Sequence, residues 1–378
     1  MGPYPTHRLI RSAERPLRPA FSLVELLTVM FIIGLLIGIL IPSLNAARNA
    51  AKQVQTKSVI NALSVGLNMF KNDHGEDFVQ TNGYPPSFAH PRLVDANGTN
   101  IVDPTKPEFP FRKDKPVVYG AHWLPAMLMG VDGQGYISRT SLPKAEDLRD
   151  EPWRWYSADP FEDGSGKTLD RSPLYVETSK IRTLQTVDLP GIPNKDDYFP
   201  DWKDEEDPDD MSRLRVFVDA FDQPILYYAS NRGGRPTNLV ADQHDPTGKN
   251  EYAGGTQQEG PPFYFHQDNV GFTGTGPNDK DGAKPGWDLR GGDHAIKSSG
   301  HELDARTLAL PFDPSAPEQH QNFARFIIDQ TILKSLEGAE QPNEKTPLRP
   351  VNPDTFLLIA AGVDGRYGTA DDVVNFER

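Results

Sequence analysis

The stretch FSLVELLTVMFIIGLLIGILIP, residues 21–42, decides the fold of this chain. It contains one charged side chain, Glu25, and otherwise almost only apolar residues. An α-helix needs about 20 such residues to cross the hydrocarbon core of a membrane. Since a helix also satisfies its own backbone hydrogen bonds in lipid, we expect this run to form a membrane-spanning helix.

Three features distinguish the run from an ordinary membrane anchor. Glu25 lies near its start. A carboxylate at the centre of a membrane helix costs about 2.5–3.5 kcal/mol, and carboxylates in membrane helices usually have a charged partner or a functional role. Gly34 and Gly38 are one turn apart, a spacing that lets two helices approach closely. Pro42 removes one helical hydrogen bond at the end of the run. Together these features favour a helix with a function beyond anchoring.

Residues 1–20 precede the run and carry the arginines Arg8, Arg11, Arg15 and Arg18. Because cytoplasmic flanks of membrane helices carry an excess of positive charge, we expect the N-terminus in the cytoplasm and the rest of the chain outside the inner membrane. A basic flank followed by an apolar run is also the pattern of an uncleaved signal anchor. The residues leave that alternative open.

The rest of the chain has the composition of a soluble, exported domain. Its net charge of -14 argues against a nucleic-acid-binding protein, which would carry a basic patch. The chain has no cysteine, which excludes disulfides and thiolate metal sites. With 35 prolines and 32 glycines among 378 residues, we expect a small core with long surface loops. The sequence contains no nucleophile elbow, His-Glu-x-x-His motif or phosphate loop, so we expect no enzymatic activity.

After Pro42 a helical pattern resumes. Apolar and small residues recur at spacings of three and four in a stripe made of Leu44, Ala47, Ala51, Val54, Ser58, Ala62, Val65 and Met69, broadened by Val59, Leu63 and Phe70. Gly75 is a candidate C-terminal cap. We therefore predict one helix from near Phe21 to about Asp73, with this stripe packed under a globular head.

Two segments have the composition of strands. Residues 214–230, LRVFVDAFDQPILYYAS, combine β-branched and aromatic residues around an Asp-Gln-Pro turn and predict a hairpin. Residues 355–361, TFLLIAA, predict a further strand. The expected fold is therefore α+β, a long helix on a small antiparallel sheet with loop-rich insertions at about 87–213 and 231–350. Within the second insertion we predict a helix at Glu318–Leu336, with an apolar face made of Phe323, Phe326, Ile327, Ile328 and Leu333. We interpret His294 and His301 as surface residues.

The C-terminus ends in a Gly-rich acidic loop, GVDGRYGTADDVVN, residues 362–375. It carries the carboxylates Asp364, Asp371 and Asp372 within a short segment. Calcium takes six to eight oxygen ligands and accepts backbone carbonyls beside carboxylates. Taken alone, however, these residues favour a polar turn with an acidic end over a metal site.

The N-terminal residues together resemble the signature of type IV pilins and of the pseudopilins of type II secretion. In that family a prepilin peptidase removes a basic leader before a phenylalanine, and the new N-terminus is methylated. The resemblance implies cleavage between Ala20 and Phe21, methylation of Phe21 and a role in assembly for Glu25. Pro42 falls where the family often has a proline. Ala20 departs from the glycine usual before the cut.

Three further segments resemble the major pseudopilin: the helix end at 61–86 with its Tyr-Pro sequence, the turn at 219–224 and the acidic loop. The resemblance implies a calcium ion in the loop 361–375. Its ligands would be the side chains of Asp364, Asp371 and Asp372 and the carbonyls of Ala361 and Arg366. The two large insertions depart from the small heads of the family.

The resemblance implies a structural subunit of a type II secretion pseudopilus or a related type IV pilus-like filament. Residues 1–20 would be the leader, 21–42 the transmembrane and filament-core half of the helix, 43–75 its amphipathic half and 76–378 a periplasmic head. The implied partners are prepilin peptidase, further copies of the chain, other pseudopilins and the inner-membrane assembly platform. The alternative is a membrane-anchored, exported ligand-binding or enzymatic domain with an uncleaved signal anchor.

Overall fold

The computed structural model describes residues 2, 22–87, 111–112, 115–116, 119–130, 133–136, 171–190, 215–236, 239–241, 261–273, 294–296, 298, 300, 322–337 and 347–377. The predicted leader, the bond between Ala20 and Phe21, and most of both insertions lie outside these residues. The chain divides into two units, residues 1–50 and 51–378, which are described separately.

The helices and strands of the described residues follow in chain order. The α-helices are α1 Leu23–His74, α2 Gly120–Leu128, α3 Val270–Thr273, α4 Phe323–Ile327 and α5 Gln330–Glu337, and short 3₁₀ helices cover Gly75–Thr81, Thr186–Asp188 and His266–Asn269. The strands are β1 Phe111–Arg112, β2 Lys115–Pro116, β3 Thr183–Gln185, β4 Arg215–Phe217, β5 Leu226–Ala229, β6 Val240–Ala241, β7 Tyr264–Phe265, β8 Phe356–Ala360 and β9 Val373–Val374.

The predicted long N-terminal helix is confirmed as α1, within two residues at its start and one at its end. Pro42 lies inside the helix rather than at a break. Because proline has no N–H, the carbonyl four residues earlier, on Gly38, receives no bond from it. One residue further on, Ser43 Oγ donates to the Leu40 carbonyl at 2.8 Å.

The first unit consists of residues 1–50, and its described part is the apolar half of α1. The large apolar side chains from Leu23 to Ile41 are all exposed. By length and composition this helix can cross a membrane, and it is the one such helix among the described residues.

The second unit is built around a three-stranded antiparallel sheet in the order β5-β8-β9. All residues of β5 and β8 are buried, and their register pairs Leu226 with Ile359 and Ala229 with Phe356. Alternate residues enter two different apolar clusters, one containing Tyr228 and the other Tyr227. Since side chains alternate between the faces of a strand, the sheet has core on both sides.

The face of α1 that packs in the second unit differs from the predicted stripe. The buried residues of α1 are Thr56, Val59, Ile60, Leu63, Gly66, Leu67 and Phe70. Val54, Val65 and Met69 of the predicted stripe are instead 71, 60 and 48 % exposed. The predicted packing face was therefore wrong, except that Val59, Leu63 and Phe70, which were predicted to broaden the stripe, are buried. The face that packs carries the bulkier side chains, which remove more apolar area from water.

The predicted hairpin at 214–230 is present only at its turn. Backbone bonds join Asp219 N–H to the Gln223 carbonyl at 2.8 Å and Ile225 N–H to the Phe217 carbonyl at 2.8 Å. Beyond this turn the two strands separate, because β4 pairs with β3 and β5 pairs with β8. The prediction of one paired hairpin was wrong, since each strand has a partner distant in sequence.

The outer edge of β5, away from β8, is closed by one side chain from a loop, Ser87, and one from the 3₁₀ helix His266–Asn269. Ser87 Oγ accepts the Ala229 N–H at 2.9 Å, and Asn269 Nδ2 donates to the Tyr227 carbonyl at 2.7 Å. Asn269 Oδ1 also accepts the Ala121 N–H at 2.9 Å, which ties α2 to the same edge. These backbone groups therefore find their partners within the chain.

The expected α+β class is compatible with these elements, a long apolar helix and small sheets in which the described strand pairs are antiparallel except for β6–β7. The helix predicted at Glu318–Leu336 is two helices, α4 and α5. Ile328 interrupts them because it forms a β-bridge with Pro350. The predicted apolar face of that segment is confirmed as buried, in Phe323, Phe326, Ile327, Ile328 and Leu333.

Candidate functional site

The start of α1 contains the first group of candidate functional residues. Glu25 Oε2 accepts the Ser22 N–H at 2.9 Å, and Ser22 Oγ accepts the Glu25 N–H at 3.2 Å. This reciprocal pair is a capping box, which satisfies two backbone donors that the first turn of a helix leaves without intrahelical partners. Glu25 thus has a local structural role that needs no second molecule, and sequence reasoning missed it although Ser-x-x-Glu is its signature.

Gly34 and Gly38, the second predicted pair, lie on the exposed part of α1. Apart from its chain neighbours and the adjacent backbone of α1, a Cβ placed on either residue would meet no described atom within 4 Å. Nothing in the described part of this chain therefore requires these two positions to be glycine. Their small size remains compatible with close approach of another helix.

The acidic loop follows directly from β8, the central strand of the sheet. It turns at Gly362, whose φ of +68° lies in the left-handed region that favours glycine. A Cβ there would lie 2.4 Å from the Asp371 carbonyl oxygen, so the two ends of the loop pass close together. The loop returns as β9, which pairs with β8. The sheet thus holds both ends of the predicted calcium loop.

Within the loop, each carboxylate accepts backbone N–H groups. Asp371 Oδ2 accepts from Val363 at 2.7 Å and from Asp364 at 3.1 Å. Asp364 Oδ1 accepts from Arg366 at 2.8 Å. Burial raises the pKa of Asp371, but hydrogen bonds from Thr369 and from backbone N–H groups outweigh it and hold that pKa below its usual value. The carboxylate is therefore kept ionised, and its stabilising contribution is lost as the pH falls below the usual aspartate range.

Three predicted calcium ligands converge on one hydroxyl group. Thr369 Oγ1 lies 2.7 Å from Asp371 Oδ1, 3.2 Å from Asp372 Oδ1 and 3.3 Å from the Arg366 carbonyl oxygen. A threonine hydroxyl has a single proton to donate. Three hard oxygen acceptors gathered around one proton fit the donor set that calcium selects.

Two other predicted ligands are placed less favourably. Asp364 is exposed, and Ala361 is buried at the end of β8. Among the residues that the structure describes, no three His, Cys, Asp or Glu side chains come together as a metal-binding group. The described loop thus brings Arg366, Asp371 and Asp372 together around Thr369, while the Asp364 carboxylate accepts the Arg366 N–H.

The interpretation of His294 as a surface residue was wrong. His294 is 3 % exposed, and its Nδ1 accepts the backbone N–H of Tyr367 at 3.1 Å. Tyr367 lies inside the acidic loop and is fully buried. The contact joins residues 73 positions apart, so no local pattern predicts it. His301 lies outside the described residues.

A polar cleft of about 950 Å³ lies in the second unit, at the C-terminal end of α1. It is lined by both signs of charge, from Lys71, Asp73, His74, Glu76, Arg232 and Asp354. Several of these groups are already engaged: Asp73 accepts from the Tyr175 hydroxyl at 2.9 Å, and Lys71 Nζ lies 4.4 Å from the centre of the Tyr84 ring. No motif or periodicity in the sequence predicts this cleft.

Comparisons of the chain with protein-family models, with curated proteins and with solved structures found no match in any of the three. A functional assignment of this chain therefore rests on its own residues and on the geometry described above.

Proposed function

We propose that this chain is a structural subunit of a type II secretion pseudopilus, or of a related type IV pilus-like filament, and not an enzyme. Prepilin peptidase would cut between Ala20 and Phe21 and the new N-terminus would be methylated. The subunit would wait in the inner membrane as a single-pass protein with a periplasmic head. It would then join other copies, and other pseudopilins, at the inner-membrane assembly platform.

The observation that carries this proposal is the exposed apolar half of α1, which has Glu25 in its first turn. Its large apolar side chains have no cover among the described residues of the first unit. Soluble proteins rarely expose a contiguous apolar surface of this size to water, so we expect lipid or other helices to cover it. Gly34 and Gly38 have no packing role within the described chain, which supports helix-to-helix contact.

In the filament, the Glu25 carboxylate would pair with the methylated amino group of Phe21 on a neighbouring subunit. Removing one partner of a buried ion pair costs about 3–5 kcal/mol, whereas the pair itself adds little net stability. A subunit one register out of place would leave both charges unpaired. The pair therefore specifies the axial position of each subunit more than it strengthens the filament.

A second surface supports assembly. Val54, Val65 and Met69 lie at helical spacing on the exposed side of α1 in the second unit, opposite residues that pack in the core. Their exposure is what a helix would have if it kept one face for its own head and another for neighbouring subunits.

Calcium would be held by the oxygens that surround Thr369, those of Asp371, Asp372 and the Arg366 carbonyl, with Asp364 and the Ala361 carbonyl as the further predicted ligands. When bound, the ion would neutralise neighbouring carboxylates. Because this chain has no cysteine, no disulfide can cross-link the end of the sheet, and a bound metal ion would stabilise it instead.

Processing gives the direct test of the proposal. The protein isolated from native membranes should begin at methylated Phe21 and lack residues 1–20. Intact mass and N-terminal sequencing measure this, and a strain without prepilin peptidase is the control. A mature chain that still carries Arg8 and Arg18 would contradict the filament proposal.

Calcium binding should stabilise the head. At a free concentration of about 100 times the Kd, calcium should raise the free energy of unfolding by about 2.7 kcal/mol. The double change Asp371→Asn with Asp372→Asn should remove this gain, because it removes two charged ligands. Asp188→Asn, at an exposed aspartate elsewhere in the head, is the matched control. Thermal unfolding with calcium, with magnesium and with chelator measures the effect, and equal shifts in all three conditions would exclude the site.

A second candidate function is a membrane-anchored ligand-binding domain with an uncleaved signal anchor. Two observations favour it: the capping box with Ser22 gives Glu25 a role without a partner, and the polar cleft offers space for a small ligand. The N-terminal sequence distinguishes the two candidates, since only the filament subunit loses its leader.

A further inference from the structure

Tyr367, in the middle of the acidic loop, is anchored from several directions. Its hydroxyl donates to the Pro224 carbonyl at 2.6 Å, on the turn between β4 and β5. Its N–H donates to His294 Nδ1 at 3.1 Å, and its carbonyl accepts the Ala295 N–H at 2.9 Å. We call residues 294–296 the strap. The strap thus engages both backbone groups of Tyr367.

The strap has its own anchor in the core. Ile296 is fully buried, and its carbonyl is bonded to His266 Nε2 at 2.8 Å. The loop lies directly on the strap at Gly368, whose φ is +91°. A Cβ at Gly368 would come within 2.6 Å of Ile296 Cγ2 and 2.9 Å of Ala295 Cβ. Glycine is therefore required for this close contact.

The peptide unit before Tyr367 links the strap to the oxygens around Thr369. A peptide unit is planar and trans, so its C=O and N–H point in opposite directions. The Tyr367 N–H points to His294 Nδ1, and the Arg366 carbonyl of the same unit points to Thr369 Oγ1 at 3.3 Å. Fixing the N–H at His294 therefore fixes the direction of the Arg366 carbonyl.

The peptide unit after Tyr367 repeats this arrangement. Its carbonyl accepts the Ala295 N–H at 2.9 Å, and its Gly368 N–H donates to Asp372 Oδ2 at 2.7 Å. Each unit thus has one end bonded to the strap. The other end of the first unit is itself a predicted ligand, the Arg366 carbonyl, and the other end of the second unit donates to the predicted ligand Asp372. The strap comes from the large insertion at about 231–350, which departs from the small heads of the family that the chain resembles.

We propose that His294 is a positioning residue of the acidic loop. By accepting the Tyr367 N–H, His294 directs the Arg366 carbonyl toward Asp371 and Asp372. The consequence for calcium rests on the proposed function, whereas the orientation of the peptide unit does not. Partners that orient metal ligands without touching the metal change affinity about 10–100-fold when they are removed. The insertion would then orient a ligand of the acidic loop, although it supplies no ligand itself.

Two substitutions at His294 separate hydrogen bonding from packing. Because a backbone N–H donates to Nδ1, the ring proton of His294 is on Nε2 and the ring is neutral. In His294→Asn the amide oxygen takes the position of Nδ1 and keeps the acceptor. In His294→Leu the acceptor is lost while apolar volume is kept.

His122 provides a matched control elsewhere in the head. It is fully buried in α2, and its Nδ1 accepts the Tyr119 N–H at 2.9 Å, the same kind of bond. His122→Leu should therefore lower stability to a similar extent without changing the loop.

The experiment uses the full-length chain in detergent. Hydrogen exchange without calcium, resolved to the single amide, reports on Tyr367, and calorimetric titration with calcium gives the Kd. We expect His294→Leu to speed exchange at Tyr367 about tenfold and to raise the Kd about 10–100-fold. His294→Asn should restore both values to within about threefold of wild type, and His122→Leu should leave both within that range.

Other results of these measurements would each contradict one step of the proposal. Unchanged exchange at Tyr367 in His294→Leu would refute the bond to the strap. Faster exchange with an unchanged Kd would refute the positioning role. If His294→Asn behaves like His294→Leu, ring packing and not the acceptor holds the loop. If wild type binds no calcium, the calcium part of the proposed function fails, while the exchange data still decide whether His294 orients the peptide unit.

Discussion

Glu25→Gln should abolish filament assembly while the chain is still inserted and processed. Glutamine serves as well as glutamate at this position of a capping box, so the substitution keeps the helix start and removes only the charge. The Phe21 amino group of the neighbouring subunit would then lie in an apolar environment without a counter-charge, at a cost of about 3–5 kcal/mol. Such a cost lowers subunit association more than a hundredfold. Filaments sheared from cells and counted by electron microscopy, with the membrane-bound precursor measured by immunoblot, give the readout.

Ser22→Ala is the control for this experiment. It removes the hydroxyl that accepts the Glu25 N–H but leaves the carboxylate in place. Loss of such a cap costs about 0.5–2 kcal/mol of helix stability and should leave assembly intact. The reverse pattern, normal filaments with Glu25→Gln and none with Ser22→Ala, would mean that Glu25 only caps the helix.

Leu63→Ala should destabilise the head strongly, whereas Val65→Ala should not. Leu63 is fully buried in the apolar cluster that also contains Tyr227, and truncation of such a leucine costs about 2–5 kcal/mol. Val65, two residues further along α1, is 60 % exposed, so its truncation should change the free energy of unfolding by less than about 0.5 kcal/mol. Urea unfolding of the full-length chain in detergent, followed by tryptophan fluorescence, measures both values.

This pair also tests which face of α1 packs in the head. Trp123 is a suitable probe because it is buried in the same apolar cluster as Leu63. If Val65→Ala costs as much as Leu63→Ala, the stripe predicted from spacing alone packs in the head, and the face described here does not.

The existence and the bounds of α1 could be predicted because they depend on local signals. An apolar run, spacings of three and four, and Gly75 after the last turn all lie in neighbouring sequence. The packing face could not be obtained from spacing, because two faces of the helix carry apolar residues at the same period. Side-chain size distinguishes them, since Ile60, Leu67 and Phe70 lie on the buried face.

Contacts distant in sequence account for what could not be predicted. The composition of residues 214–230 correctly indicates strands, but their partners are 183–185 and 356–360. The acidic loop was recognisable from its carboxylates, whereas its contact with His294 depends on how the insertion folds back. Of the five tryptophans, Trp123 is buried, and the other four lie outside the described residues.

The closed outer edge of β5 has a consequence for how subunits of the proposed filament would dissociate from one another. Heads displayed along a filament stand at very high local concentration, a condition in which unpaired strand edges join neighbouring molecules into continuous sheets. Ser87 and Asn269 already occupy the backbone groups that such joining would need. In the proposed filament, this edge of the sheet would therefore not join neighbouring heads through backbone hydrogen bonds, and withdrawal of a subunit into the membrane would break no backbone ladder at β5.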